Sequence, residues 1–250
     1  MDITEEVLFA ELDELMFQKH ENNFIVDIGA SYNSHFLKYP CRGILFDNDP
    51  WKIMNIPANN LYERINRKIT PDNVVSTLDE FDTPKNFLAL NLDIDSYDLF
   101  VLINLLKEFQ PKIIISEINE KIPPPINFSV KYDDTWKWQV NHFYGYSISC
   151  LNLVLKHFNY HVHKLTFANI ILLKGNEEDK IQDLTQFYKE GYVNAKGRKD
   201  FFTWNTNVEH WQDLKPDILE KEIKEFFKKY ENNLVIGEEC EELIKKYLNE

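Results

Sequence analysis

Four short apolar runs constrain this chain more than any other feature: FIVDIG at 24–29, GILFD at 43–47, FLALNLD at 87–93 and KIIISEI at 112–118. Each has the length of a β-strand, and each is continuously apolar rather than alternating. Alternation marks a strand with one wet face; a continuous run marks one buried on both, as in a parallel sheet covered by helices. Between the last two lies SYDLFVLINLLKEF, helical in length and periodicity, with Ser96 as its expected cap. A second helical stretch, YSISCLNLVLKHF, precedes YHVHKLT and NIILLKG, read as two strands joined by a short turn. A leading helix from about Thr4 to Lys19 carries Val7, Leu8, Leu12, Leu15 and Met16 at helical spacing. Strands alternating with helices predict an α/β three-layer domain over residues 22–175. An N-terminal helix at 1–21 precedes it, and a charged, mostly helical appendage at 176–250 follows.

Composition narrows the partners. The 250 residues hold 28 Lys+Arg against 41 Asp+Glu, a net charge of −13. That field repels phosphate backbones, so no nucleic-acid partner is expected. No apolar run approaches the ~20 residues that span a bilayer, so no membrane partner is expected either. The acidic start MDITEEVLFAELDELM is unlike a basic secretory leader. Cys41, Cys150 and Cys240 stand far apart in sequence, which speaks against a CxxC metal cage or a disulfide framework. Together these features point to a soluble, cytoplasmic protein.

The strand ends carry the chemistry. Ligands of open parallel sheets bind at the carboxyl ends of the strands. Here those ends read Asp27-Ile28-Gly29-Ala30-Ser31, Asp47-Asn48-Asp49, Asp93-Ile94-Asp95 and Glu117-Ile118-Asn119. A buried carboxylate needs a partner or a ligand, and four in register predict a polar ligand crevice. Gly29, one of only 7 glycines, permits a tight turn and a close approach of backbone to ligand. Asp47 follows Asp27 by 20 residues, the spacing at which a carboxylate grips ribose hydroxyls in nucleotide-binding α/β folds. The full GxGxxG is absent, since Ala30 and Ser31 follow Gly29. A pyrophosphate cofactor therefore fits poorly, whereas a ribose-bearing ligand without phosphate, such as S-adenosylmethionine, needs only the first turn.

The succession VDIGAS, ILFDNDP, VVSTLDEF and FLALNLDIDSYDLFVLINLLKEFQPKIIISEIN resembles the class I S-adenosylmethionine-dependent methyltransferase domain, most closely the FkbM-type and related families. The segments ITPDNV, VKYDDTWKW and HFYGYSISCLNLVLKHFNYHVHKL extend the resemblance to residues 22–175. It implies a Rossmann-like sheet of seven strands in the order 3-2-1-4-5-7-6, with the last hairpin antiparallel. It also implies that Asp27, Gly29 and Ala30, with Ser31 beside them, line the methionine part of S-adenosylmethionine. Asp47 would then hold the ribose, Asn48 would lie near the adenine, and Asp93 beside the sulfonium and the acceptor. Ser96 and Tyr97 depart from the family pattern, as do Ala30-Ser31 in place of a second glycine and Asn91 in place of the usual lysine or serine.

Two routes to removing the acceptor's proton are open. Asp93, Asp95, Glu117 and Asn119 are hard oxygen ligands on neighbouring strand ends, the chemistry that Mg²⁺ or Ca²⁺ favours, and resemble the arrangement in catechol-type methyltransferases. The alternative is that they cap helices and bond one another. Without a metal, His142 in WKWQVNHFYGYS is the expected general base, with Tyr144 and Tyr146 behind it. Trp136, Trp138, Phe143 and Tyr144 could stack on a ring acceptor or serve as packing. The expected function is methyl transfer to a hydroxyl of a small molecule or glycan. One rival is a catalytically degenerate methyltransferase-fold binding or scaffold protein; another is a nicotinamide-dependent oxidoreductase. A homo-oligomer is left open.

Overall fold

The computed structural model describes residues 3–18, 22–32, 34–175 and 183–249. Seven strands form one sheet: β1 (Phe24–Ile28), β2 (Arg42–Asp47), β3 (Tyr62–Asn66), β4 (Ala89–Leu92), β5 (Ile113–Glu117), β7 (Tyr160–Thr166) and β8 (Asn169–Lys174). Their order is β3-β2-β1-β4-β5-β8-β7. The first five are parallel, while β8 runs antiparallel between β5 and β7. This is the Rossmann-like methyltransferase topology that the resemblance implied, since β7 and β8 are the sixth and seventh strands of the sheet. The remaining pair, β6 (Phe128–Val130) and β9 (Leu234–Ile236), makes a separate two-stranded antiparallel sheet.

The continuous apolar runs are explained by the two cores. Successive side chains on a strand point to opposite faces, and here both faces are covered. Val26, Ile28, Ile44, Phe46, Leu90, Leu92 and Ile114 pack on one side, against α4 (Asp98–Glu108), α5 (Ile148–Phe158) and α9 (Glu238–Asn249). Ile25, Leu45, Ala89, Ile113 and Ile115 face the other, where Leu12 and Met16 of α1 (Ile3–Met16), Phe36, Tyr39 and Ile53 close over them. Helix α4 is enclosed almost all round, with Phe100 fully buried and its ring 4.6 Å from that of Tyr247 on α9.

Two local expectations need correction. Ser96 does not cap α4: the N-cap is Tyr97, without a side-chain bond to the helix, and the Asp98 carboxylate instead reaches back to fasten the preceding loop, accepting from the amides of Ile94 at 2.7 Å and Ser96 at 2.9 Å. Strand β3 has no counterpart among the sequence-predicted runs, because it is the sheet's edge and four of its five residues keep contact with water. Lys19, at the end of the leading helix as predicted, lies outside the described residues, as do residues 21 and 176 at the expected domain boundaries.

The C-terminal residues are tied in through a third core. Val208, Trp211, Leu219, Ile223, Phe227 and Tyr230 bury against Ile122, Ile126, Phe128, Val130 and Phe143 of the segment between β5 and α5. The β6–β9 ladder joins the same two stretches. Among the described residues no helix is long and apolar enough to cross a membrane. Truncating Phe100 to Ala should cost about 3–5 kcal/mol, because α4 is held on every side and the cavity cannot collapse. Urea unfolding of Phe100→Ala beside the parent chain measures it.

Candidate functional site

All four strand ends singled out in the sequence reach the same edge of the sheet, where two hollows meet. The larger is a cavity of about 800 Å³ and the smaller a cleft of about 460 Å³. Gly29, Asp93, Asp95 and Trp138 belong to the walls of both.

The turn after β1 sets this junction. Gly29 has φ +91°, and a methyl group there would sit 1.7 Å from the carbonyl oxygen of Asp93. Glycine is therefore required twice over, by conformation and by contact. The amides of Gly29 and Ala30 both donate to the Phe46 carbonyl at 2.9 Å, so they stitch β1 to β2 instead of facing a ligand. Ala30 is buried, while Ser31 lines the larger cavity. Asp27 lines it too, accepting hydrogen bonds from Ser34 Oγ and, at 2.8 Å, from Asn91 Nδ2. Burial pushes the Asp27 carboxyl up to about 6 despite those two donors.

At the end of β2, Asp47 is nearly buried and lines the smaller cleft, with Asn48 exposed beside it. One Asp47 oxygen accepts from the Asp49 amide at 2.7 Å, and the other lies 3.5 Å from Lys52 Nζ. Asp49 in turn caps the short helix α2 (Pro50–Asn55), which carries Lys52.

Asp93, Asp95 and Glu117 come together. Each offers a carboxylate oxygen, all within 4.8 Å of one another, the one such group of three among the described residues. Asp95 is held in the left-handed region at φ 55°, which bends the chain back toward Asp93. Burial first, and then the neighbouring acids, raise the Asp93 and Glu117 carboxyls well above their ordinary range, while burial raises that of Asp95 against the pull of Lys52. Their oxygens suit a hard divalent cation in kind. Asn119 does not join them. Its Nδ2 donates to the carbonyls of His142 and Tyr144 at 2.9 Å each, fastening the segment that forms the far wall, and it lines neither hollow.

His142 does line the larger cavity. Its Nε2 is 3.1 Å from Asn207 Oδ1, and its Nδ1 has no partner. An amide oxygen can only accept, so Nε2 carries the hydrogen and Nδ1 keeps its lone pair. Burial first, and then the charge of Lys121, lower the imidazole's proton affinity. Tyr144 and Trp138 stand on the same wall, with ring centroids 5.9 Å apart; Tyr146 is fully buried and bonds Ser116 Oγ at 2.8 Å instead.

Two sets of residues escaped the sequence reading. Phe201, Phe202 and Trp204, from the C-terminal stretch, complete the cavity's aromatic side. Nothing near them in sequence announces this, because their partners lie tens of residues away. The other set is a buried polar floor under Tyr144. Lys121 Nζ donates to the Tyr144 hydroxyl at 2.8 Å and to both Glu120 oxygens at 3.1 Å, while Asn205 Nδ2 donates to Glu120 at 2.8 Å. Burial alone would raise the Glu120 carboxyl, but Lys121, Tyr144 and Asn205 together hold it below its usual range. The available signal was an ion pair placed directly after a strand-end motif, Glu120-Lys121 following Glu117-Ile118-Asn119.

No known family model matches the chain, and no curated protein matches its sequence. Several solved structures are similar to it. One is the N-methyltransferase NodS from Bradyrhizobium japonicum WM9, at 12% identity, covering 69% of this chain and 97% of that one, with a TM-score of 0.43. A SAM dependent methyltransferase from Archaeoglobus fulgidus matches at 13% identity over 92% of both chains, with a TM-score of 0.39. The N-terminal domain of EvdMO1 with SAH bound matches at 10% identity, over 70% of this chain and 82% of that one, with a TM-score of 0.44. Likeness at this level carries no argument about activity, which has to come from this chain's own side chains.

The crowding of acids has a consequence for stability. Asp27 and Asp98 both titrate near 6 in the folded chain against about 3.8 when free, and Asp93, Asp95 and Glu117 shift the same way. Between pH 4 and about 6 these five acids keep protons in the folded state that the unfolded chain has released; the His35 and His142 imidazoles, lowered by burial, pull the other way but are outnumbered, so stability falls as pH rises through that window. The melting temperature should be higher at pH 5 than at pH 7, and Asp27→Asn should flatten the slope. Calorimetric scans across that range measure both.

Proposed function

We propose that the chain is an S-adenosylmethionine-dependent methyltransferase of FkbM-like type, acting on a hydroxyl of a small molecule or glycan. The observation that carries this reading is the meeting of the two hollows at Gly29, Asp93, Asp95 and Trp138. On one side lies a cleft with the Asp47 carboxylate at its rim. On the other lies a cavity large enough for a second molecule, with His142 in its wall.

When bound, S-adenosylmethionine supplies a methyl group on a positively charged sulfur. Asp47 would accept the ribose hydroxyls, and Asn48 would border the adenine. Asp27, Gly29 and Ser31 would flank the methionine end, whereas Ala30, expected beside them, is buried and lines neither hollow. Asp93, Asp95 and Glu117 surround the junction with carboxyls whose charged form a bound cation would favour and a pyrophosphate would oppose. That choice speaks for a sulfonium and against a nicotinamide dinucleotide, in keeping with the missing glycines. In the larger cavity, Trp138, Phe202 and Trp204 offer faces to a ring, and holding the acceptor against the junction replaces lost translational freedom. The acceptor's proton would pass to His142 Nδ1, which has no partner within the chain but is buried in the wall, so the wall must shift for this nitrogen to meet the acceptor; Asn207 would hold the ring in the tautomer that keeps its lone pair.

A divalent cation at Asp93, Asp95 and Glu117 would be a Lewis acid for the same proton, with three of the four anticipated ligands in place. A specific observation also supports the degenerate, binding-only reading. Both Asp47 oxygens already have partners within the chain, in Asp49 and Lys52. Binding decides between them.

Calorimetry with S-adenosylmethionine and S-adenosylhomocysteine should give micromolar affinity, with NAD silent. Asp47→Ala should weaken binding by about 1–3 kcal/mol. Loss of all cofactor binding in the parent chain would leave the binding-only reading, and dependence on Mg²⁺ would favour the metal. His142→Gln should bind the homocysteine product as the parent does. Its methyl transfer to a panel of phenols and methyl glycosides, followed with a labelled methyl group, should fall about 100-fold or more.

A further inference from the structure

Cys150 and Cys240 stand 90 residues apart in sequence, yet their Sγ atoms lie 2.9 Å apart. Each sits in the first turn of its helix, Cys150 in α5 and Cys240 in α9. Both are fully buried, in the same apolar cluster as Leu151, Val235 and Ile244. A bonded pair of sulfurs is about 2.05 Å apart, so closure asks for less than about 1 Å of movement. The third cysteine, Cys41, is buried on the opposite face of the sheet.

We propose that Cys150 and Cys240 form a reversible disulfide that staples α9 to α5. Each thiol gives up its proton, and the pair gives up two electrons to a low-molecular-weight disulfide such as oxidised glutathione. A mixed disulfide forms on one cysteine, the other sulfur displaces it, and the reagent leaves as two thiols. Burial means that the reagent reaches the pair only when α9 lifts away, so oxidation captures a transient opening and then prevents it. The effect extends to the larger cavity. Strand β9 leads directly into α9 and pairs with β6, and the segment after β6 carries Trp138, His142 and Tyr144. A stapled α9 therefore braces that wall.

The test uses the whole chain, incubated with oxidised or reduced glutathione and then alkylated under denaturing conditions. After oxidation one thiol should alkylate instead of three, the mass should fall by two hydrogens, and a linked Cys150–Cys240 peptide should appear. The melting temperature should rise by about 5–15 °C, and dithiothreitol should reverse it. Amide exchange over residues 128–146 and 234–248 should slow in the oxidised chain. Cys41→Ala should retain the rise, and Cys240→Ala should lose it. Three alkylated thiols, a lasting glutathione adduct, or a link through Cys41 would overturn the proposal; should Cys240→Ala not fold, the peptide map of the parent chain decides alone. None of these readouts depends on methyl transfer, so cofactor binding and cross-linking can fail separately.

Discussion

The carboxyl edge of this protein depends on one close approach, the turn after β1 passing beneath the backbone of Asp93. Only glycine fits at position 29, where a side-chain carbon would overlap a carbonyl oxygen. Because the turn can pass there, Gly29 and Asp93 stand on the same spot, and the two hollows share a wall instead of lying on separate sides of a ridge. The hydrogen bonds of Gly29 and Ala30 to Phe46 then fix β2, and with it Asp47, in relation to the junction. Asp27 is pinned from β4 by Asn91. The strand ends are therefore placed by one another before any ligand arrives.

That placement has an energetic cost, and the protein meets it unevenly. Asp27 has two hydrogen-bond donors and Asp47 has an amide and a lysine, but Asp93, Asp95 and Glu117 crowd together with Lys52 and Lys121 only at their flanks. Native proteins tolerate such unrelieved charge where it serves a ligand. By contrast the Glu120–Lys121–Asn205 cluster beneath Tyr144 is fully buried and largely satisfied. The contrast between a strained group at the junction and a satisfied one behind it separates the residues that meet a ligand from those that hold the wall.

Much of this was legible in the sequence because burial on both faces leaves a periodicity that water-facing strands lack. The runs at β1, β2, β4 and β5 gave themselves away in this manner, and their terminal acids marked the crevice. Strand β3 did not, since an edge strand such as YERIN keeps its polar side chains in water and reads as a loop. Ser96 looked like a cap because serine prefers that position, but Asp98 reaches back with two oxygens where serine has one. Asn119 lay at the right spacing to join the acids, yet spacing does not give side-chain direction, and its amide turns to the carbonyls of His142 and Tyr144. Phe201, Phe202, Trp204 and Asn207 were beyond reach, because contacts across tens of residues leave no local pattern. The proximity of Cys150 and Cys240 was hidden for the same reason.

The pairing of β6 with β9 also sets an order of events during synthesis. Domains emerge and fold from the N-terminus onward, so β1, β2 and β4 can assemble the Asp27, Asp47 and Asp93 side of the junction while the rest of the chain is still being made. The opposite wall hangs from Phe128–Val130, whose hydrogen-bonding partner is Leu234–Ile236. Until residues beyond 236 leave the ribosome, the chain holds half of the junction: the strand ends with Asp27, Asp47 and Asp93, with no finished wall to the larger cavity. A nascent chain can thus set the acids of its strand ends well before it can enclose the space opposite them.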